Sequence, residues 1–273
     1  MDTHPPLSTG PTAPIALFDS GVGGLSVLRH VRQRLPRERL LYVADTAYMP
    51  YGEKSTALIR ARVLWLAQRL LAMEAKLLVL ACNTATAAAV RELREALPTL
   101  PVVGMEPGLK PAIDVSRSRR VGIIATEGTL RSEKFRLLLA RYGAGAEVLT
   151  RACPGLVEQV EQGALSDGAS EVLLRRYLAP LQQAGVDTLV LGCTHYPFLI
   201  PLIRRIVGEE MAVIDTGEAV ARQVQSQLQQ HGIASLAEGI GALRFYTTAD
   251  PEPQQALFRR LWGEPLTLER LPP

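Results

Sequence analysis

The chain has 273 residues, of which 47% are hydrophobic and 21% are charged, a composition typical of a globular protein with a large buried core. No apolar run is long enough to cross a bilayer, and 30 basic against 27 acidic residues leave a net charge of only +3. We therefore expect neither a membrane nor a nucleic acid as a partner.

The chain begins MDTHPPLSTGPTAP, a stretch rich in proline and small polar residues. This composition predicts a disordered lead-in over residues 1–14. The stretch lacks the basic segment and the following apolar segment of a signal peptide, so we expect a cytoplasmic protein. In that reducing compartment the three cysteines are expected to be free thiols.

Short apolar runs alternate with segments of helical periodicity along the chain. The runs lie at residues 15–18, 40–44, 77–81, 101–104, 121–124, 146–149, 188–192 and 212–215. Clear helical segments are 56–74 and 169–185, and the tail adds a helix at 217–230, a strand at 243–248 and a last helix containing QALFRRLWG. This alternation predicts an α/β fold of parallel sheets flanked by helices.

The spacing of the runs indicates an internal repeat. The first run precedes the fifth by 106 residues and the second precedes the sixth by 106, whereas the third precedes the seventh and the fourth the eighth by 111. We therefore predict two pseudosymmetric α/β domains, with the active site in the cleft between them. The first domain comprises 15–104 together with the tail 217–273, which we expect to pack on it, and the second comprises 105–216.

Two of the three cysteines occupy equivalent places in this repeat. Cys82 follows the third run and Cys193 the seventh. Chemistry in parallel α/β folds gathers at the carboxyl ends of strands, so two thiols would flank one cleft. Asn83 and Thr84 on one side, and Thr194 on the other, suit the start of a helix, whose dipole would lower the thiol pKa below about 8.5 and whose N–H groups could bind a carboxylate.

Several readings of the two thiols stay open at this point. They could be small buried apolar residues, a redox pair, or zinc ligands together with His195. Stereochemical inversion fits the pattern best, because moving a proton between the two faces of a carbon needs an acid/base group on each side. Cys153 has no cysteine counterpart in the first half, and we expect it to be structural.

Other polar residues also follow the predicted strands. Asp19 and Ser20 end the first strand in FDSGVGGLS, and their counterparts in the second half, within ATEGT, are Thr126 and Thr129. His195 lies two residues after Cys193 and could orient or protonate that side. The glycine-rich segment lacks the spacing of a dinucleotide or P-loop motif, so nucleotide binding is not expected.

Six segments in order resemble the glutamate racemases of the aspartate/glutamate racemase family. They are IALFDSGVGGLSVL (15–28), YVADTAYMPYG (42–52), ACNTATA (81–87), ATEGTLRS (125–132), ACPGLVEQVEQG (152–163) and GCTHYPFL (192–199). FYTTADPEP (245–253) is similar to the family's C-terminal part. The resemblance implies a racemase without cofactor or metal that supplies D-glutamate for peptidoglycan, a cytoplasmic enzyme forming a homodimer.

The resemblance also implies roles for single residues. Cys82 would deprotonate D-glutamate with help from Asp19, and Cys193 would deprotonate L-glutamate with help from His195. Glu161 matches the family's acidic residue in a segment where Glu158 stands in place of the usual proline. The implied substrate-binding residues are Asp19, Ser20, Pro50, Tyr51, Gly52, Asn83, Thr84, Thr126, Thr129, Thr194 and His195. A racemase of aspartate or another small amino acid, a two-lobed amino-acid binding protein without turnover, and a zinc-dependent hydrolase are the alternatives.

Overall fold

A computed structural model describes residues 10–166 and 168–272. The strands are β1 (Ile15–Asp19), β2 (Leu40–Ala44), β3 (Leu77–Leu80), β4 (Val102–Val103), β5 (Arg120–Ala125), β6 (Glu147–Ala152), β7 (Thr188–Gly192), β8 (Ala212–Ile214), β9 (Leu243–Thr247) and β10 (Leu268–Arg270). The helices are α1 (Leu25–Arg34), α2 (Thr56–Ala72), α3 (Asn83–Ala96), α4 (Leu109–Val115), α5 (Glu127–Leu130), α6 (Glu133–Tyr142), α7 (Leu156–Glu161), α8 (Gly168–Gln183), α9 (Ile200–Val207), α10 (Gly217–Gln230) and α11 (Glu252–Trp262). Short 3-10 turns lie at Thr46–Tyr48, Tyr51–Glu53 and Tyr196–Leu199.

The strands form two sheets in which every pair is parallel. The six-stranded sheet has the order β10-β9-β2-β1-β3-β4, and the four-stranded sheet has the order β6-β5-β7-β8. The first four strands and the next four therefore stand in corresponding order, β2-β1-β3-β4 and β6-β5-β7-β8. The predicted α/β class is confirmed, whereas the exact domain boundaries stay a prediction.

The central strands read as continuous apolar runs because helices cover both of their faces. All five residues of β1 and all five of β7 are buried. Helix α2 shows how the covering helices are specified. Ser55 caps it by accepting a hydrogen bond from the Leu58 N–H, and Ile59, Val63 and Leu66 turn inward at helical spacing. Each such side chain contributes about 1.5–3 kcal/mol on burial.

The tail of the chain completes the first sheet. Strand β9 pairs with β2 in parallel, β10 pairs with β9, and α10 packs against α1. Strand β10, which is only three residues long and lies at the sheet edge, was not predicted from the sequence. None of the helices in the described part of the chain combines the length and apolar character needed to cross a bilayer.

The predicted disordered lead-in is wrong for its last residues. The buried Lys76 Nζ donates to the Pro11 carbonyl oxygen at 2.7 Å, and the Lys76 N–H donates to the Pro14 carbonyl oxygen at 2.9 Å. These contacts hold 10–14 against the first sheet. The buried ammonium needs acceptors, and the Pro11 carbonyl is one of them, together with the Ile233 carbonyl and the Glu38 carboxylate. Residues 1–9 of the predicted lead-in lie outside the described residues.

Candidate active site

Cys82 and Cys193 line the same cavity, one from each half of the molecule. Cys82 lies two residues beyond β3, and Cys193 directly follows β7, at the carboxyl ends of the two sheets. Both side chains are buried, and both line this cavity. Predicted site residues that also line it are Ser20, Pro50, Tyr51, Gly52, Asn83, Thr84, Thr126, Thr194 and His195.

On one side of the cavity, a histidine connects a carboxylate to a thiol. His195 Nδ1 lies 3.7 Å from Cys193 Sγ, and His195 Nε2 lies 2.6 Å from Glu161 Oε1. Burial lowers the pKa of His195, but the contacts with Cys193 and Glu161 outweigh it and raise that pKa well above the ordinary value. The imidazolium can thus donate to both neighbours, which suits it to hold a negative sulfur.

Glu161 does not line the cavity but fixes the histidine from behind. Its Oε1 also accepts a hydrogen bond from the Val22 N–H at 2.8 Å, which ties α7 to the glycine-rich loop after β1. Glu158, one helical turn earlier, does line the cavity, and its Oε2 is buried without a hydrogen-bond partner. The replacement of the family's proline by Glu158 therefore leaves Glu161 in reach of His195.

The glycine-rich loop is required for this close approach between the halves. A Cβ at Gly21 would lie 1.8 Å from Glu161 Oε1, and one at Gly23 would lie 2.4 Å from His195 Nδ1. Any side chain there would displace the residues around Cys193. The segment FDSGVGGLS thus contributes a close backbone contact with the second half.

On the Cys82 side, a hydrogen-bonded chain leads away from the thiol. Cys82 Sγ lies 3.9 Å from Ser20 Oγ, which donates to Asp19 Oδ1 at 3.1 Å. The Thr194 hydroxyl donates to Asp19 Oδ2 at 2.9 Å and so joins the second half to this chain. Asp19 is completely buried, it is not one of the cavity-lining residues, and burial raises its pKa.

The expectation of a lowered thiol pKa is wrong for Cys82. Its Sγ accepts a hydrogen bond from the Ala85 N–H at 3.4 Å, as a residue capping α3 should, and this contact favours the thiolate. Burial and the nearby Asp19 carboxylate act in the opposite direction and raise the pKa of Cys82 well above its usual value. The helix terminus is outweighed because the thiol is desolvated.

Polar groups able to bind a ligand stand beside Cys82. The Asn83 side chain is buried, and neither its Nδ2 nor its Oδ1 has a hydrogen-bond partner. Each buried polar atom without a partner lowers the stability of the fold by about 1–3 kcal/mol, and a ligand at the cavity wall would supply the missing hydrogen bonds. Thr84 Oγ1 lies 2.9 Å from Thr126 Oγ1, while Thr129 stands behind both and does not line the cavity.

Seven residues that line the cavity were not among the predicted site residues: Glu53, Glu127, Cys153, Pro154, Gly155, Val157 and Glu158. Cys153, expected to be structural, lines the cavity as a third thiol, and burial raises its pKa to about 12. Strand β6 runs to Ala152, further than the apolar run 146–149 indicates, so Cys153 directly follows a strand as Cys193 does. The end of β6 has the sequence LTRA, and because Thr150 and Arg151 interrupt the apolar run, the sequence did not indicate a strand end directly before Cys153.

The described residues offer no support for a metal centre. Within 10–166 and 168–272, no group of three or more His, Cys, Asp or Glu side chains is arranged to hold a metal ion. The zinc reading of Cys82, Cys193 and His195 therefore has no ligand cluster to rest on. What the cavity does present is three thiols, of which Cys82 and Cys193 have different polar partners, an arrangement suited to moving protons.

Comparisons with known proteins agree with this chemistry. The family model for Asp/Glu/Hydantoin racemase matches residues 24–224. The chain is 54% identical over 252 residues to the glutamate racemase of Ectopseudomonas mendocina (strain ymp), covering 92% of this chain and 95% of that relative. It is 52% identical over 261 residues to the Pseudomonas aeruginosa PAO1 glutamate racemase, covering 95% and 98%.

Solved structures give the same result. Glutamate racemase isoform RacE1 from Bacillus anthracis superposes with a TM-score of 0.86 at 34% identity, covering 95% of this chain and 97% of that one. Escherichia coli glutamate racemase, in complex with L-glutamate and the activator UDP-MurNAc-ala, gives a TM-score of 0.83 at 32% identity, covering 95% and 98%. The fold and the matches define an isomerase, an amino-acid racemase. The chain belongs to the Asp/Glu/Hydantoin racemase family, and the resemblance noted in the sequence is confirmed.

Proposed function

We propose that this racemase interconverts L- and D-glutamate by proton transfer between Cys82 and Cys193. The observation that carries the proposal is that both thiols, from corresponding strand ends of the two halves, line one buried cavity. The glutamate racemases among its relatives support the substrate. No cofactor or metal takes part in the proposed reaction.

Each direction uses one sulfur as base and the other as acid. With L-glutamate, a Cys193 thiolate paired with the His195 imidazolium takes the α-proton, and the Cys82 thiol returns a proton to the opposite face. The raised pKa of Cys82 suits it to carry that proton in the free enzyme. With D-glutamate the roles exchange, and the chain through Ser20 to Asp19 adjoins the base.

The main barrier is the weak acidity of the α-carbon. Removing its proton places further charge on the substrate carboxylate, so fixed donors aimed at that group lower the barrier. We propose that the N-terminal N–H groups of α3 and the unpartnered Asn83 amide act in this way. The remaining wall residues are proposed to line the substrate site, with Thr129 supporting two of them from behind; they are Ser20, Pro50, Tyr51, Gly52, Thr84, Thr126, Thr194 and His195.

The biological setting belongs to the same proposal. A glutamate racemase would supply D-glutamate for peptidoglycan from the cytoplasm. The homodimer expected from the resemblance stays a prediction.

The decisive experiment is exchange of the substrate α-proton in heavy water, followed by NMR with each glutamate enantiomer and no added cofactor. The proposal expects deuterium in the product enantiomer from both directions, and the same rate in the presence of a chelator. L-Aspartate measured in parallel tests the alternative substrate. Binding without any exchange would identify a two-lobed binding protein and end the proposal.

The assignment of the two bases is tested by Cys82→Ser and Cys193→Ser. General acid/base groups contribute about 10²–10⁴-fold, so each variant should lose net racemisation by at least about a hundredfold in both directions. Cys153→Ser is the matched control, because it alters the third cavity thiol, and it should lose less than about tenfold. Equal losses in all three variants would contradict the two-thiol assignment.

A further inference from the structure

One cavity wall rests on a buried carboxylate that the proposed reaction does not use. The 3-10 turn Tyr51–Glu53 contributes Tyr51 and Gly52 to the cavity and packs against α5 of the second half. The Tyr51 hydroxyl donates a hydrogen bond to Asp45 Oδ2 at 2.5 Å and is therefore engaged outside the proposed proton transfer. Burial first, and Asp45 second, raise the pKa of Tyr51, so the phenol remains a donor.

Asp45 is completely buried and every lone pair direction of its carboxylate is used. Arg62 of α2 donates from Nε to Oδ2 at 2.9 Å and from Nη2 to Oδ1 at 2.7 Å. Such a two-pronged contact fixes the plane of the carboxylate as well as its position. The guanidinium itself is held between two aromatic rings, 3.8 Å from the Tyr48 centroid and 4.3 Å from the Trp65 centroid.

The fourth hydrogen bond to Asp45 comes from the tail of the chain. The Thr248 hydroxyl donates to Asp45 Oδ1 at 2.8 Å, and Thr248 Oγ1 in turn accepts from the Ala47 N–H at 3.1 Å. The Thr248 N–H donates to the Ala44 carbonyl oxygen at 3.0 Å. Thr248 belongs to FYTTADPEP, a segment for which the proposed chemistry gives no role.

We infer that Asp45, Arg62 and Thr248 form a positioning network that sets where the Pro50–Gly52 wall meets the substrate. The inference rests on the proposed glutamate racemisation. The network contacts the Pro50–Gly52 wall but neither thiol. It should therefore affect how the substrate binds more than how its proton is transferred. Loosening it should therefore raise KM more than it lowers kcat.

The test compares Thr248→Val, which removes the hydroxyl at nearly constant shape, with Thr248→Ser, which keeps it. Thr248→Val should raise KM for both enantiomers by roughly three- to tenfold, with a smaller change in kcat, as expected for one hydrogen bond. Thr248→Ser should restore KM to within about twofold of the parent. Reversible partial unfolding would by itself raise the apparent KM, so KM is compared only between variants that circular dichroism shows to be fully folded.

Thr188→Val is the matched control. The Thr188 hydroxyl also donates to an aspartate, Asp187 Oδ1 at 2.9 Å, but at the far end of β7 from Cys193. It should leave KM unchanged. A KM in Thr248→Val equal to that of Thr188→Val would overturn the inference.

Coupling to Tyr51 gives a second criterion. If Thr248 and Tyr51 act through Asp45, the double variant Thr248→Val/Tyr51→Phe should raise KM by less than the product of the single effects. Independent, multiplicative effects would count against the network. A parent enzyme without turnover would refute the proposed function instead, whereas normal parent turnover with an unchanged KM in Thr248→Val refutes only this inference.

Discussion

Replacing Glu161 by glutamine tests the link from carboxylate to thiol with almost no change of shape. Glu161 Oε1 accepts from His195 Nε2 at 2.6 Å and from the Val22 N–H at 2.8 Å. An amide oxygen can still accept a hydrogen bond, but the negative charge is lost. A hydrogen bond to a charged group contributes about 1.5–3 kcal/mol against about 1 kcal/mol for a neutral one, so the expected loss is about 1–1.5 kcal/mol. That free energy corresponds to about a tenfold lower kcat/KM.

The form of the loss is constrained by thermodynamics. Enantiomers have equal free energies, so kcat/KM must fall equally from L- and D-glutamate. The asymmetry should appear in the deuterium isotope effects at the α-carbon. Because Glu161→Gln weakens the Cys193 side, proton removal from L-glutamate becomes more rate-limiting and its isotope effect grows, while that from D-glutamate shrinks.

The pH dependence of kcat/KM is an independent test of Glu161→Gln, because the direction of its shift can be predicted. Glu161 helps to raise the pKa of His195, and without the carboxylate the imidazolium should be lost at lower pH. The alkaline limb of the kcat/KM profile should therefore move toward lower pH. Circular dichroism measures racemisation from L- and from D-glutamate. The control is Glu171→Gln, which breaks the exposed ion pair with Arg175 and should leave both rates unchanged. Unchanged isotope effects together with a kcat/KM within about twofold of the parent would refute the reasoning, since one lost charge-assisted bond predicts more.

Two further predictions concern the balance between stability and function. Asn83→Leu removes two buried polar atoms without partners, so the free energy of unfolding measured in urea titrations should rise by about 1 kcal/mol or more. The KM for glutamate should rise at least about tenfold, because the proposed ligand contact is lost. Lower stability with a normal KM would contradict the role of Asn83. For Cys82, whose folded pKa is raised, the folded and unfolded chains both carry the thiol below about pH 8.5, and above it only the unfolded chain ionises. Between pH 8 and pH 10 the parent should therefore lose about 1–2 kcal/mol more stability than Cys82→Ala under reducing conditions, and equal losses would show that Cys82 ionises normally in the folded protein.

The parts of the fold that depend on local pattern could be predicted from the sequence. The eight apolar runs became eight strands, because buried parallel strands need apolar residues on both faces. The corresponding strand order followed from their spacing. Strand β10 has three residues and could not be distinguished from a loop, and the anchoring of 10–14 depends on Lys76, far along the chain.

The sequence indicated eleven of the residues that line the cavity, but it did not indicate the electrostatics of the site. Strand-end cysteines and polar residues are visible in a sequence, and the resemblance supplied Glu161. The contact between Thr194 and Asp19 joins the two halves and cannot be read from either one. The thiol pKa of Cys82 was predicted in the wrong direction because the degree of burial, which outweighs the helix terminus, is set by tertiary packing.

The corresponding strand order of the two sheets bears on how one chain can serve two enantiomers. A protein built of L-residues cannot contain a reflection plane, so it cannot offer mirror-image environments to mirror-image substrates. A duplicated topology offers a rotation instead, which exchanges the two sulfur-bearing strand ends and, under the proposed mechanism, presents comparable groups to opposite faces of one carbon. Since Asp19 of the first half corresponds to Ala125 of the second, each face can still be tuned by itself while the ratio of the two enantiomers at equilibrium stays fixed.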